Sequence, residues 1–292
     1  MPTKKTNKVL IDEYLEHIKK EKKLSNQTLK TYENIGSSLP FNLTTSQPTI
    51  IKKLKQLYDN PNTLQLFLNI IILVRRWAEL ETDKLIKYRN TLRDSIIKVR
   101  KKNLDILDDK LPTLEYILNK LENLSGRKFV INYLMINHGL RNKDINLEYK
   151  SKIPEKGENN YITVKGKNSI LKINDYKTDK SFGSKDIKID DKRFIEELKK
   201  INLENGDFLL PKKDGTKINS ISTFNEKILR NTIDDLGQNK IVKIKIKDLL
   251  NKKDYDTLER ISNDRGTSMS VLLKSYNLEN GLEKSENSEN SE

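Results

Sequence analysis

The sequence predicts a two-domain chain that is mainly α with a small antiparallel β-sheet. Three features predict this. Apolar residues recur in steps of three and four through the first hundred residues, β-branched alternation is confined to the middle of the chain, and a polar, acidic stretch at Asn103 to Lys110 separates two apolar-periodic regions. With 292 residues the chain is long enough to bury two separate cores.

In the first region, Leu10, Tyr14 and Ile18 mark a helix over Val9 to Glu21. Ser25-Asn26-Gln27-Thr28 offers an N-cap for a second helix carrying Leu29, Tyr32 and Ile35. Thr49 to Tyr58 and Thr63 to Trp77 continue the pattern, with Pro48 and Pro61 placed where helices begin. Asp83 to Lys102 is the longest helix expected, with Leu85, Tyr88, Leu92, Ile96 and Val99 on one stripe. Lys84, Lys87, Lys98, Arg100, Lys101 and Lys102 make its remaining surface basic, either as a solvated face or as a phosphate-contacting one. The expected domains are therefore residues 1–102, a linker at 103–110, residues 111–278, and a disordered acidic tail at 279–292 of mostly Ser, Asn and Glu.

In the second region, helices are expected over Pro112 to Leu121 and Lys128 to Asn137, the latter ending at Gly139, a residue suited to a left-handed cap. Strands follow at Tyr161 to Val164, Ile170 to Asn174 and Asp186 to Ile189, with turn chemistry at Lys165-Gly166-Lys167-Asn168 and at Gly183. Helical periodicity returns at Asp191 to Lys199, Ser222 to Leu236, Lys245 to Leu250 and Ser268 to Leu278.

Composition narrows function. Lys and Arg number 56 against 42 Asp and Glu, a formal charge of +14 distributed along the chain, so the expected partner is a polyanion. No apolar run approaches the roughly 20 residues of a membrane span, and the longest, Leu66 to Val74, is interrupted by Asn69 and reads as a buried helix. The basic Met1 to Lys8 is followed by no apolar signal core, so an intracellular setting is expected. The absence of cysteine removes disulfides and thiol chemistry. His17 and His138 are the only imidazoles, so a metal site is not expected.

Three short stretches carry chemistry. In the first, Tyr133 to Ile145, an apolar helix ends in Gly139-Leu140-Arg141 with Asp144 three residues later; Arg141 offers a planar fork of donors suited to a phosphate. The second, Tyr176-Lys177-Thr178-Asp179-Lys180-Ser181, is a basic turn between expected strands. In the third, Ile261 to Ser268 is followed by a segment in which Met269, Leu272, Leu273 and Tyr276 share one helical face, so Tyr276 is either a core residue or a phenol carried on a short helix.

Taken in order, these stretches resemble the tyrosine recombinases of the phage-integrase type, over roughly Val9 to Leu278. The resemblance implies a helical core-binding domain joined to an α+β catalytic domain, double-stranded DNA as partner, and no cofactor. By the same resemblance, Tyr276 is the nucleophile that forms a 3′-phosphotyrosyl bond, Arg141 binds the scissile phosphate, and Lys177 protonates the leaving 5′ oxygen. Lys165, Lys167 and Lys180 are alternatives for that last role. Thr267 stands nine residues before Tyr276, where the family has a histidine. The counterpart of the family's His-x-x-Arg box is Lys247-Asp248-Leu249-Leu250, so Leu250 stands in place of the second arginine, with Arg260 or Arg265 as substitutes. Assembly as a tetramer on DNA is also implied. Three readings remain: an active strand-transfer enzyme, a relative that binds DNA without cleaving it, and an unrelated helical nucleic-acid-binding scaffold.

Overall fold

The computed structural model describes residues 6–21, 26–108, 110–154, 159–176 and 182–276, without the side chains of 26, 27, 100, 101 and 103–108. The expected tail at 279–292, the N-cap at Ser25 and the turn lysines Lys177 and Lys180 lie outside the described residues. The chain divides into two compact units, Met1–Ile106 and Leu107–Glu292. It is mainly helical, with one small four-stranded mixed sheet.

The first unit consists of α1 (Asn7–Glu21), α2 (Asn26–Ser38), α3 (Gln47–Leu57), α4 (Pro61–Trp77) and most of α5 (Asp83–Asp108). Its core joins Leu10, Tyr14 and Ile18 of α1 to Ile50 and Leu54 of α3 and to the apolar run of α4. Asn60 caps α4 by accepting from the Asn62 and Thr63 N–H groups at 2.9 and 3.4 Å, with Pro61 in the first turn, where a missing N–H leaves no bond unmade. No described helix is long and apolar enough to cross a membrane.

Two buried polar side chains fix the connections of this unit. Gln47 reaches across to the start of α5, its Oε1 accepting from the N–H groups of Lys84 (2.9 Å) and Leu85 (3.2 Å), donors that a helix start leaves free. Arg75 is held by backbone carbonyls, donating to Glu81 O at 3.0 Å, Thr45 O at 2.9 Å and Leu43 O.

The basic helix departs from expectation in two ways. It runs to Asp108, so the stretch expected as a linker is helical nearly to its end; no Pro or Gly between Asn103 and Asp108 stops it. Val99, assigned to the apolar stripe, is 59% exposed, whereas Leu85 is buried. Lys84, Lys87, Lys98 and Lys102 are exposed; Arg100 and Lys101 belong to the helix, but their side chains lie outside the described residues.

The second unit opens with α6 (Leu114–Glu122), capped by Thr113, and α7 (Gly126–His138). Next come β1 (Glu148–Tyr149), β2 (Tyr161–Lys165), β3 (Asn168–Ile173) and β4 (Lys185–Ile189), in that spatial order. β2, β3 and β4 pair antiparallel, as expected, but β1 pairs parallel with β2, which corrects the purely antiparallel sheet. The eleven residues between Tyr149 and Tyr161 give the chain enough length to return in the same direction. The Phe208 segment runs beside β1, with the Leu209 N–H donating to Leu147 O at 2.9 Å.

The remaining helices are α8 (Lys192–Lys200), α9 (Ile221–Leu229), α10 (Gln238–Asn251), α11 (Tyr255–Arg265) and α12 (Met269–Tyr276), with a 3₁₀ turn at Ile233–Asp235. The expected helix Ser222 to Leu236 stops at Leu229. Fully buried Asn132 holds the break, donating to Asn231 O (2.9 Å) and accepting from the Ile233 N–H (3.0 Å). α10 is more than twice its expected length, and α11 is a helix that periodicity did not predict.

Candidate active site

Two helices of the second unit end in left-handed glycines, and the candidate site lies between these ends. α7 stops at Gly139 (φ 60°), and the Leu140 N–H turns back to Leu134 O at 3.4 Å. α11 stops at Gly266 (φ 64°), with the Thr267 N–H returning to Ser262 O at 3.1 Å. The ends pack closely: a Cβ on Gly139 would lie 2.8 Å from Ile261 Cγ2.

Arg141 follows the first cap on a turn fixed by buried Asp144, which accepts the Arg141 N–H at 2.9 Å and lies 4.0 Å from its Nη1. The Arg141 guanidinium donates to the carbonyl of Arg265, and Arg265 Nη1 donates to the carbonyl of Gly139. The two cations therefore sit against the negative ends of two helices. Burial nevertheless lowers the proton affinity of Arg265, and burial raises that of the Asp144 carboxyl against the pull of Arg141.

Tyr276, at the end of α12, meets this pair. Its ring centroid is 5.8 Å from Arg265 Cζ. The residue is buried with Leu272, Leu273, Leu258 and Ile261, and its hydroxyl has no hydrogen-bond partner among the described residues. Burial pushes the phenol above its ordinary pKa, while Arg265 and Arg141 pull it down. Tyr276 is thus both a core residue and a phenol beside two guanidinium groups.

The structure brings together Arg141, Arg265 and Tyr276, with Thr267 buried on the connecting turn. Lys247 is not among them: it is exposed on α10 and shares a groove with Leu111, Thr113 and Lys243. Val242, Ile246, Leu249 and Leu250 of α10 pack in the apolar cluster that holds Tyr276. Arg260 lies on α11 against the Asn137 carbonyl (3.1 Å) and Asp264 (3.5 Å). His138 donates to or accepts from Asp264 at 2.7 Å and braces α7 against α11.

Nothing in the sequence singled out Lys185, at the start of β4. Its Nζ donates to Asn263 O in the last turn of α11 and lies 4.9 Å above the Tyr176 ring. Burial lowers its pKa; Asp264 and Asp144 act in the opposite sense and Arg141 in the same one. The only sequence signal is position, a lysine opening a strand just after the Gly183 turn. Among the described residues no group of His, Asp or Glu is arranged to hold a metal ion.

No family model matches the chain, and no curated protein matches it. Among solved structures the chain is similar to the crystal structure of XerA recombinase, with 12% identity, 97% of this chain and 99% of that chain covered, and a TM-score of 0.40.

Proposed function

We propose that this protein cuts and rejoins duplex DNA through a 3′-phosphotyrosyl intermediate on Tyr276. The observation that carries this reading is a buried phenol hydroxyl, without a partner among the described residues, beside two arginines that tie their helix ends together through carbonyls. A buried polar atom left unsatisfied is destabilising, and an incoming phosphate oxygen would satisfy it. Each arginine uses only part of its five-donor fork on a carbonyl or carboxylate, leaving N–H groups for the non-bridging oxygens.

In the reaction, the Tyr276 hydroxyl gives up its proton to solvent as its oxygen attacks the phosphorus, the phosphorus–O5′ bond breaks, and the 5′ oxygen takes up a proton and leaves as a hydroxyl. One phosphodiester replaces another, so the energy of the cut is stored for rejoining and no cofactor is required. Arg265 takes the part of the second arginine that Leu250 does not supply. Because the hydroxyl is buried, attack requires α12 to shift when DNA binds.

In this reading the helical first unit is a core-binding domain whose α5 lysines contact phosphates, residues 111–278 are the catalytic domain, and the protein works inside cells as a tetramer on DNA. A second reading, DNA binding without cleavage, is favoured by the same burial of the hydroxyl and by the apolar face of α10.

The test begins by selecting bound DNA from a random duplex pool, then making nicked substrates that trap a covalent adduct. An adduct that survives denaturation and is absent from Tyr276→Phe supports the enzyme. Specific binding without any adduct supports the second reading.

A further inference from the structure

We propose that Gln238, the first residue of α10, is a positioning residue for Arg141, an inference that rests on Arg141 binding the scissile phosphate for attack by Tyr276. A guanidinium pairs with phosphate oxygens through a fork of fixed geometry, so a small rotation of its backbone misdirects its donors. Arg141 stands between α7 and β1, in neither a helix nor a strand, where no ladder of backbone bonds sets its orientation.

The two peptide groups that flank Arg141 are held by other means. The Arg141 N–H donates to the Asp144 carboxylate at 2.9 Å, and the Arg141 carbonyl accepts from the N–H groups of Asp144 (2.9 Å) and Ile145 (3.2 Å). These bonds close within the turn, so they fix its shape but not its direction relative to α10. The N–H of Asn142, on the peptide that follows Arg141, donates instead to Gln238 Oε1, 96 positions further along the chain. A backbone N–H can only donate, so the amide atom that faces it must be oxygen. Gln238 Nε2 is thereby turned toward Asn239 Oδ1, at 3.4 Å.

The start of α10 gives this side chain a fixed base. Gly237 is the N-cap, and Ile241 and Val242, each 1% exposed, pack the next turn into two different cores. The acceptor is also uncharged, which suits its place. Asp144 already sets a carboxylate 4.0 Å from Arg141 Nη1, and a second anion would offset more of the charge that meets the phosphate. Asn142 has one further tie, its Nδ2 donating to Asn225 Oδ1 at 2.9 Å. That bond is exposed and competes with water, whereas the bond to Gln238 is partly buried and is the stronger constraint.

The experiment uses the full chain and the nicked trapping duplex. Gln238→Ala is expected to slow single-turnover adduct formation at saturating DNA by about 10- to 100-fold, with DNA affinity changed by less than about twofold. In an Arg141→Lys background, where a flexible ammonium no longer depends on the direction of the turn, adding Gln238→Ala is expected to cost less than about twofold more. Hydrogen exchange on the DNA-free protein is expected to show the Asn142 N–H protected in the wild type and open in Gln238→Ala, with the thermal melt unchanged. An unprotected Asn142 in the wild type, an equal slowing in both backgrounds, or a loss of affinity as large as the loss of rate would overturn the assignment. If the wild type forms no adduct, the Tyr276 reading fails and this inference falls with it; a protected Asn142 then tells that outcome from a missing Gln238 contact.

Discussion

Arg141 and Arg265 are bound crosswise, the guanidinium of each donating to a carbonyl at the other's helix end, Arg141 to Arg265 O and Arg265 to Gly139 O. The two helix ends are thereby locked to each other, and both positive charges are fixed in direction before any anion arrives. Preorganised charge of this kind is the largest usual contribution to lowering a phosphoryl-transfer barrier.

Replacing Arg265 with Lys keeps the charge but loses the fork that binds Gly139 O and that, in the proposed function, also binds the phosphate. The expected loss in the rate of adduct formation is about 10²- to 10³-fold, the range for removing one preorganised donor. Single-turnover kinetics on the trapping substrate measure it. A change below about threefold, well short of that range, would show that Arg265 only braces the helices.

Gly139→Ala is expected to destabilise the protein by about 2 kcal/mol, through left-handed strain and collision with Ile261. Urea unfolding followed by circular dichroism gives the value. Gly166→Ala is the comparison, since that glycine has a similar φ of 62° but open space around it, and it should lose less.

Tyr276 should ionise later than an exposed tyrosine. Its folded pKa is raised, so the stability linked to the neutral phenol is fully present below the unfolded value of about 10 and is lost as pH rises through the folded value. Labelling the tyrosine ring carbons and following their chemical shifts to high pH, with Tyr276→Phe to identify the signal, checks this. A signal that titrates below the ordinary range would mean that the two arginines outweigh burial.

DNA affinity should fall steeply with salt. Changing Lys84, Lys87, Lys98 and Lys102 together to Ala is expected to reduce the slope of log K against log salt by up to about 3.6, at about 0.9 for each phosphate that is no longer neutralised. An unchanged slope would assign these lysines to a solvated face.

Much of this was legible in the sequence because it was local. Gly139 announced its helix end, Asp144 lay one turn from Arg141, and the strand alternation at 161–189 had period two. The misreadings came from long-range effects. Asn132 breaks the helix after Leu229 from across the unit, a relationship that periodicity cannot register. α10 was expected only over Lys245 to Leu250, because its first turns are apolar on two sides, with Ile241 and Ile244 in one core and Val242 and Ile246 in another, and so show no single helical stripe. Lys185 was invisible for the same reason, since nothing near it in sequence mentions Asn263 or Gly266.

The crosswise arginines also set an order of events in the life of each molecule. The hydrogen bonds that join the two helix ends span 124 and 126 residues, so they close one of the longer loops in the second unit. A chain still being synthesised has the lysines of α5 and can be drawn to a polyanion, yet it has no paired guanidinium groups until Arg265 has emerged. Positive charge is acquired early in the chain, and the paired guanidinium groups are acquired late.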